Sequence, residues 1–298
     1  MPLPPDFIFN QASLQDAVEC RRRFQLRYLL ELAWPAPVAE PAGEHEAHIR
    51  SGEAFHRLIQ QHQVGLPAER LTAQAEAEDK VEVKAEVEGT RDLAEWWRNY
   101  LSSPPKNLPA VRYPEVTLSV PVGNHRLLAK YDLVAIEPGR RAVIVDWKTS
   151  ARRPTGAWLA ARLQTRVYRY VLVRAGSQLN RGAVLQPEQV EMVYWFAAFP
   201  DQPEHLPYNR TQHEADGRYL ASLIADLAQA GDGANPGDDF PLTEDAKRCR
   251  FCPYRSLCGR GVEAGDMNAE DDAGPVDDAS SGDWAAGFDF EQVAEVAF

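Results

Sequence analysis

Two neighbouring apolar segments, each interrupted by one carboxylate, restrict the fold of this chain more than any other feature. Residues 129–136 place Asp132 within an otherwise apolar, strand-like run, and residues 141–148 place Asp146 near the end of a second run. Residues 137–140, Glu-Pro-Gly-Arg, are typical of a turn, so the two segments are expected to form a β-hairpin. A buried carboxylate is costly unless it is paired or bound to a cation. The sequence therefore predicts that Asp132 and Asp146 converge on adjacent strands.

The end of the second segment has the residue types of a metal site. Because side chains alternate across a strand, Asp146 and Lys148 are expected on one face and Val145 and Trp147 on the other. Two carboxylates directed at one point suit a hard cation such as Mg²⁺ or Mn²⁺. The Lys148 ammonium could orient an attacking water or stabilise charge on a phosphate. The alternative interpretation is an ordinary salt-bridged strand end. Glu115, on the strand predicted over residues 111–122, either assists this site or faces solvent.

The remaining patterns predict a mixed sheet with helices. Strands are predicted over residues 111–122, 126–136, 141–148 and 190–199. Helices are predicted over residues 13–30, 51–64, 68–101, 155–174 and 214–230, with Ser13 and Ser51 as the N-caps of the first two and Gly65 and Gly176 just past the ends of the second and fourth. Three strands joined by short turns, then a helix and a further strand, indicate an α/β or α+β core.

The acidic residues are distributed unevenly. The 298 residues have a formal net charge of -12, but residues 261–298 contain 11 of the 44 Asp and Glu and none of the 32 Lys and Arg. This tail is predicted to be disordered, and it either recruits a partner or only improves solubility. The near-neutral remainder, residues 1–260, is therefore compatible with a nucleic-acid ligand.

The four cysteines have the spacing of a metal or cluster site. A C-x₂-C-x₅-C group lies near the end of residues 1–260 and a fourth cysteine lies far upstream; these residues are Cys249, Cys252, Cys258 and Cys20. Such a set suits zinc or an iron–sulfur cluster, and spacing alone does not choose between them. The N-terminus lacks a signal-peptide pattern and no apolar run is long enough to cross a membrane, so we expect a cytoplasmic protein without membrane partners.

Taken together, these motifs resemble the PD-(D/E)XK nuclease superfamily. Asp132 followed by Asp146-Trp147-Lys148 on the next strand is similar to its catalytic motif, although Ala129 stands where the family commonly has Gly. Three further features, across roughly residues 13–260, resemble the RecB-type branch. The first is His56 on an upstream helix, and the second is Gln164 and Tyr168, one turn apart on the helix after the catalytic strand. The third is a pair of cysteine segments similar to those of AddB-type and CRISPR-associated RecB-like nucleases.

The resemblance implies a restriction-endonuclease-like α/β core, with a mixed central sheet flanked by helices, a helical N-terminal insertion and an iron–sulfur region. Residues 1–260 would form this nuclease domain, its two cysteine segments joined at a [4Fe-4S] cluster, and residues 261–298 the tail. By the same resemblance, Mg²⁺ or Mn²⁺ would be held by His56, Asp132, Asp146 and the Trp147 carbonyl. Lys148 would be the catalytic lysine, and Gln164 and Tyr168 would position the substrate.

The implied activity is exonuclease cleavage of single-stranded DNA, plausibly 5′ to 3′, in DNA repair, recombination or CRISPR adaptation. Basic residues expected to neutralise phosphates are Arg152, Arg153, Arg162, Arg166 and Arg169. Trp147 and Trp158 either stack on bases or belong to the core. No G-x-x-x-x-G-K-[ST] motif is present, so ATP-driven unwinding would require a partner such as a helicase. A helicase or a CRISPR integrase could dock on the acidic tail.

Two alternatives belong to other classes of protein. The first is a non-catalytic iron–sulfur subunit that binds DNA for a helicase or an integration complex. The retained set of Asp132, Asp146 and Lys148 argues against it, because a module without catalysis does not need these residues. The second is a zinc-stabilised scaffold without a nucleic-acid role.

Overall fold

The computed structural model of the protein describes residues 3–33, 40–84, 93–230 and 239–261. The strands are β1 (Ile8–Asn10), β2 (Val111–Val122), β3 (His125–Glu137), β4 (Arg141–Lys148), β5 (Val190–Phe196) and β6 (Phe199–Pro207). The α-helices are α1 (Gln11–Glu19), α2 (Arg21–Phe24), α3 (Glu40–Gln63), α4 (Ala68–Lys84), α5 (Leu93–Ser102), α6 (Gly156–Ala161), α7 (Leu163–Ala175) and α8 (Arg210–Gln229). Residues 1–2, 34–39, 85–92, 231–238 and 262–298 lie outside the described residues; they include eight residues of the helix predicted over residues 68–101 and all but the first residue of the acidic tail.

The described strands form one six-stranded mixed sheet with β3 and β4 at its centre. β3 pairs antiparallel with β2 from His125 to Ile136 except at Asp132, it pairs antiparallel with β4 at its C-terminal end, and β1 pairs parallel with its N-terminal end. β4 and β5 are parallel, so the chain crosses the sheet through α6 and α7 between them, and β6 returns antiparallel to β5. The predicted hairpin of the two carboxylate-bearing strands is confirmed.

Helices cover both faces of the sheet. The first core layer packs one face against α1, α7 and α8, and includes Leu14, Tyr131, Ile144, Val167 and Leu220. The second core layer packs the opposite face against α3, α4 and α5, and includes Phe55, Leu71, Trp97, Leu133 and Val145. Burial of each of these large side chains contributes about 1.5–3 kcal/mol relative to its exposure. The chain thus has a mixed α/β fold with a central mixed sheet flanked by helices.

The alternation of side chains is interrupted at one point in β2 and β3. Tyr131 and Val134 both belong to the first core layer and Leu133 to the second, so β3 takes three residues instead of two to return to the same face. β2 does the same, since Tyr113 and Val116 both pack on the first layer. We call this interruption the β2–β3 switch, and Asp132 lies within it.

The N-terminal helix is shorter than the pattern predicts. The prediction of one helix over residues 13–30 is wrong, because Cys20 is extended (φ −161°, ψ 105°) and separates α1 from α2, which a π-helix (Gln25–Leu29) follows. Ser13 is not the N-cap. Asn10 caps α1 by accepting from the Ser13 N–H at 2.8 Å, and the Ser13 hydroxyl accepts in return from the Asn10 N–H at 3.0 Å.

Three other predicted elements have different bounds. Ser51 lies buried inside α3, which begins at Glu40, so it is not an N-cap, whereas Gly65 does follow the helix with φ +101°. The single helix predicted over residues 155–174 is broken at Arg162, whose ψ of 142° starts α7 anew. The strand predicted over residues 190–199 is instead the β5–β6 hairpin. No helix within the described ranges is long and apolar enough to span a membrane.

Candidate active site

Asp132 joins three elements at the β2–β3 switch. Its Oδ2 accepts a hydrogen bond of 2.9 Å from the backbone N–H of Trp147 on β4, and its Oδ1 lies 3.3 Å from Nδ1 of His56 on α3. Burial works to raise the pKa of Asp132, but the charge and hydrogen bond of His56 outweigh it and bring this pKa below its ordinary value. The Asp132 carboxylate is therefore held ionised beside an imidazole.

Asp146 forms a closed set of contacts with Lys148 and Gln164. Its Oδ2 lies 2.9 Å from Nζ of Lys148, and its Oδ1 accepts from Nε2 of Gln164 at 2.8 Å. The same Lys148 ammonium donates to Oε1 of Gln164 at 3.2 Å. Asp146 is only 2% exposed, and burial, together with the charge of Asp132, raises its pKa to about 6 in spite of Lys148. Two interacting carboxylates with divergent pKa values are thus brought together, as the hairpin predicts.

α7 supplies the other side of this site. Gln164 and Tyr168 are both buried on the same helical face, one turn apart. The Tyr168 ring packs on Tyr131 with a centroid distance of 4.9 Å, and the Tyr131 hydroxyl donates to the Tyr168 carbonyl at 2.9 Å. Burial, followed by the charge of Asp146, raises the pKa of Tyr168 well above its ordinary value. Tyr168 is therefore a neutral hydrogen-bonding group next to the carboxylates.

Glu115 stands beside the site in an unusual backbone conformation. Its φ is +53°, in the left-handed region that non-glycine residues rarely occupy. Its Oε2 lies 2.8 Å from Nζ of Lys130. Burial and the nearby charge of Asp132 raise the pKa of Glu115. Of the two roles left open by the sequence, assistance to the site is favoured over simple exposure to solvent.

The donor set fits a hard divalent cation in its chemistry. Two carboxylates and an imidazole converge, and the pKa of Asp146 is raised mainly by burial and further by the charge of Asp132, which a cation would offset. Among the described residues, however, no group of three or more His, Cys, Asp or Glu is arranged to hold a metal ion. Lys148 and Gln164 contact the oxygens of Asp146, while Trp147 and His56 contact those of Asp132. A cation would have to displace some of these contacts.

The predicted DNA-binding arginines differ in accessibility. Arg152 and Arg153 are exposed on the loop after β4, where Arg153 pairs with Glu204 of β6. Gly156, at the start of α6, lies against the flexible end of the Glu204 side chain, which a Cβ there would displace. Arg162 is partly exposed at the break before α7. These three arginines are placed where a nucleic acid could reach them.

Arg166 and Arg169 have partners within the protein. Nε of Arg166 donates to Oδ1 of Asp216 on α8 at 2.6 Å. Arg169 is 3% exposed and donates to the carbonyls of Thr165 and Pro207, each at 3.2 Å. The helical spacing placed Arg169 on a DNA-contacting face, but the return of β6 covers it, so its guanidinium is inaccessible to DNA.

The two tryptophans considered for base stacking differ in the same way. Trp147 is buried and packs against Trp195 of β5 at 5.8 Å, so it belongs to the core. Trp158 is partly exposed, although it packs against the first core layer and the Arg162 guanidinium lies 4.7 Å from its ring centroid. Of the two tryptophans, Trp158 therefore keeps some exposed surface.

The cysteine segments at the two ends of the described chain lie together. All four cysteines are free thiols. Burial raises the pKa of the thiols of Cys249, Cys252 and Cys258, and the nearby Cys20 raises each of them further. Cys20 therefore lies within electrostatic range of the other three thiols, but among the described residues the cysteines are not arranged as a metal site.

Direct contacts hold these segments to each other. Nη1 of Arg248 lies 3.1 Å from Oε1 of Glu19, and the Tyr254 hydroxyl donates to the Leu32 carbonyl at 3.0 Å. The backbone N–H of Arg22 donates to the Pro241 carbonyl at 3.2 Å. The first and last parts of residues 3–261 are therefore joined by packing as well as by the positions of their thiols.

Sequence analysis missed one residue of the site. Tyr194 of β5 stands beside Asp146 in the parallel register, and Nζ of Lys148 lies 5.7 Å from its ring centroid. Its hydroxyl shares a 2.7 Å hydrogen bond with that of Thr165 on α7. No local pattern could have identified it, because the register of β5 against β4 depends on the whole crossover.

Comparison with known proteins identifies one family. Residues 9–259 match the sequence profile of the PD-(D/E)XK nuclease superfamily. No curated protein matches the chain. Among solved structures, SSO0001 is 14% identical, with 84% of this chain and 85% of that chain covered and a TM-score of 0.36. A "Putative exonuclease" from Eubacterium rectale is 9% identical, with 74% and 79% covered and a TM-score of 0.46. At these TM-scores, neither structure informs the function of this chain.

Proposed function

The chain belongs to the PD-(D/E)XK nuclease superfamily, and we propose that it is a metal-dependent deoxyribonuclease that hydrolyses single-stranded DNA. The observation that supports this proposal best is the junction of two carboxylates and a lysine on neighbouring strands. Asp132 is hydrogen-bonded to the backbone of β4, and Lys148 lies 2.9 Å from Asp146 on that strand.

Mg²⁺ or Mn²⁺ would be held by Asp132, Asp146 and His56, with the carbonyl of Trp147. Such a cation supplies activation of water and neutralisation of phosphate charge. Its arrival would replace the direct contact of Lys148 with Asp146, whereas the hydrogen bonds of Gln164 to both side chains would remain, so metal binding and release of Lys148 from Asp146 are coupled in this proposal.

The chain's own groups have separate roles in cleavage. The oxygen of a water molecule bonds to phosphorus as the P–O bond to the leaving sugar oxygen breaks; the water gives a proton to solvent and the leaving oxygen takes one up. The Lys148 ammonium stabilises the negative charge that develops on the phosphate oxygens. Gln164 fixes Lys148 and Asp146 relative to each other through its two hydrogen bonds. Tyr168, kept neutral by burial, can donate a hydrogen bond to the substrate next to them.

The proposed substrate contacts lie on the α6–α7 side of the site. Arg152, Arg153 and Arg162 would neutralise backbone phosphates, and Trp158 would stack on a base. A base can stack in this way only when it is unpaired, which favours single-stranded DNA. We propose exonuclease action, in the 5′ to 3′ direction, in repair, recombination or CRISPR adaptation, with a helicase or integrase partner for duplex DNA.

We further propose that Cys20, Cys249, Cys252 and Cys258 hold a [4Fe-4S] cluster, with zinc as the alternative. The support is the proximity of the four thiols and the contacts between their segments. Residues 1–260 would then be one nuclease domain whose two ends the cluster joins.

Cleavage of an end-labelled single-stranded oligonucleotide in the presence of Mn²⁺ tests the proposed activity. We expect Lys148→Ala to lose about 100-fold or more in cleavage rate, and Lys106→Ala, an exposed lysine distant from the site, to behave as wild type. Equal degradation by wild type and Lys148→Ala would reject the proposed site. Binding without degradation by either protein would favour the non-catalytic DNA-binding subunit. Separate labels on the 5′ and 3′ ends report the direction.

A further inference from the structure

The β2–β3 switch has a single backbone outlier at its centre. Pairing of β2 with β3 has the same register on both sides of the switch, from Pro114 opposite Leu133 to Val116 opposite Tyr131. Glu115 and Asp132 therefore stand opposite each other. Both strands are fully described, and every other residue of β2 is paired with a residue of β3, whereas Glu115 and Asp132 are not paired with each other. The outlier and the proposed metal-binding carboxylate thus occupy the same rung of the sheet.

A glutamate in this conformation is unfavourable by itself. The left-handed region costs a non-glycine residue about 1–2 kcal/mol, and glutamate has no special tolerance for it. The ion pair with Lys130 is partly exposed, and such a pair contributes about 0.2–1 kcal/mol. Strained residues of this kind persist where the surrounding structure requires them, and they concentrate at functional sites.

The interruption determines where the Asp132 carboxylate lies. On either side of it, neighbouring residues of β3 face opposite core layers: Tyr131 the first layer and Leu133 the second. Asp132 lies at the boundary, where it contacts both His56 on α3, which belongs to the second-layer side, and the backbone of β4. If Glu115 and Asp132 paired regularly, the Asp132 carboxylate would face only one core layer. It would then lose its contact either with His56 or with the backbone of β4.

We propose that Glu115 is a positioning residue. Its backbone conformation, stabilised by Lys130, keeps Glu115 and Asp132 from pairing at the β2–β3 switch and so holds Asp132 between His56 and Asp146. The inference deepens the proposed function and rests on it. It assigns to Glu115 a conformational role and not the role of a metal ligand. The distinction is testable, because some residues tolerate a positive φ without having a carboxylate.

The test compares three substitutions at one position. Glu115→Gly and Glu115→Asn lack the carboxylate but adopt the left-handed region readily, whereas Glu115→Val resists it and favours regular strand pairing. Calorimetry with Mn²⁺ alone measures the affinity of the site. We expect Gly and Asn to remain within about threefold of wild type, and Val to bind Mn²⁺ about 10–100-fold more weakly, as is found when groups supporting metal ligands are lost.

Affinity for a single-stranded oligonucleotide without divalent cation should be equal in all three variants, and circular dichroism shows whether each one folds. A folded Gly or Asn variant that loses Mn²⁺ affinity would overturn the proposal, because the carboxylate itself would then be required; this result stands even if the Val variant does not fold. A Val variant with wild-type affinity would overturn it as well. Wild-type protein that binds Mn²⁺ but does not cleave DNA would reject the proposed nuclease function, and the Mn²⁺ affinities would still decide the role of Glu115.

Discussion

Nδ1 of His56 lies 3.3 Å from Oδ1 of Asp132. An imidazole from a helix that covers one face of the sheet therefore meets a carboxylate of the central strand β3. The imidazole favours the ionised carboxylate, which is the form that binds cations. This contact links α3, on the second-layer side of the sheet, to the candidate site.

Replacement of His56 should weaken the proposed metal site. We expect His56→Ala to reduce Mn²⁺ affinity about 10–100-fold and to reduce cleavage of single-stranded DNA with it. His205→Ala is the matched control, because His205 pairs with Glu191 at the opposite end of β5 and is exposed. Equal Mn²⁺ affinities of the two variants, measured by calorimetry, would contradict the role of His56.

The raised pKa of Asp146 predicts a pH dependence of stability. Its pKa of about 6 lies above the ordinary value of 3.8, so folding disfavours the ionised form. In metal-free protein, the stability contributed by this group is therefore lost as the pH rises from 3.8 to about 6. The full cost above pH 6 is at most about 3 kcal/mol, and the opposing effect of Lys148 is already contained in this pKa.

Asp146→Asn removes this penalty together with the metal-binding oxygen. We expect the variant to be inactive, and its melting temperature in EDTA, relative to wild type, to be higher at pH 8 than at pH 5. A difference that does not change between the two pH values would show that Asp146 titrates normally. Binding of Mn²⁺ by the wild type below pH 6 should also release a proton, which calorimetry in buffers of different ionisation enthalpy detects.

Gln164 contacts protein groups on both sides of its amide, which predicts a specific kinetic effect. We expect Gln164→Ala, which loses these hydrogen bonds, to lower kcat by about 100-fold, because Lys148 and Asp146 are then no longer fixed relative to each other. Affinity for single-stranded DNA without divalent cation should stay at the wild-type level. Gln178→Ala, at an exposed position after α7, is the control. A weakened DNA affinity with unchanged kcat would instead make Gln164 a substrate contact.

Local patterns in the sequence predicted most of the β3–β4 hairpin at the centre of the sheet. β2 and β4 have the predicted bounds, and those of β4 follow from local signals, because the turn residues 137–140 precede a run in residues 142–147 that is apolar except at Asp146. Alternation of side chains along a strand placed Asp146 and Lys148 on one face, and helical spacing placed Gln164 beside Tyr168. In each case, the relevant neighbours are close in sequence.

The features that the patterns did not predict depend on contacts between distant parts of the chain. Cys20 interrupts a helical pattern where the N-terminal segment packs on residues 239–261. Arg169 has an unremarkable helical position, but β6 covers it. The strain at Glu115 arises from the pairing of β2 with β3 around Asp132, and neither strand alone shows it.

The exposed and buried arginines near the site should behave differently towards DNA. We expect Arg152→Ala to weaken binding of single-stranded DNA and to reduce the dependence of log affinity on log salt by about 0.7, since one phosphate contact is lost. Arg169→Met should leave this salt dependence unchanged but lower the melting temperature, because it removes the hydrogen bonds of a buried guanidinium to the carbonyls of Thr165 and Pro207. An equal effect of both substitutions on the salt dependence would contradict the assignment.

Loss of a single cysteine should affect both metal content and stability. If Cys20 completes a cluster with Cys249, Cys252 and Cys258, Cys20→Ser should abolish stoichiometric iron and acid-labile sulfide and lower the melting temperature, because the cluster joins the two ends of the domain. Ser256→Ala, in the same segment as three of the thiols, should retain the iron. The pairs Glu19–Arg248 and Leu32–Tyr254 remain in the Cys20 variant, so it should still fold at low temperature. Wild-type protein with one zinc and no iron would replace the cluster by a zinc site, and protein with neither metal would reject both.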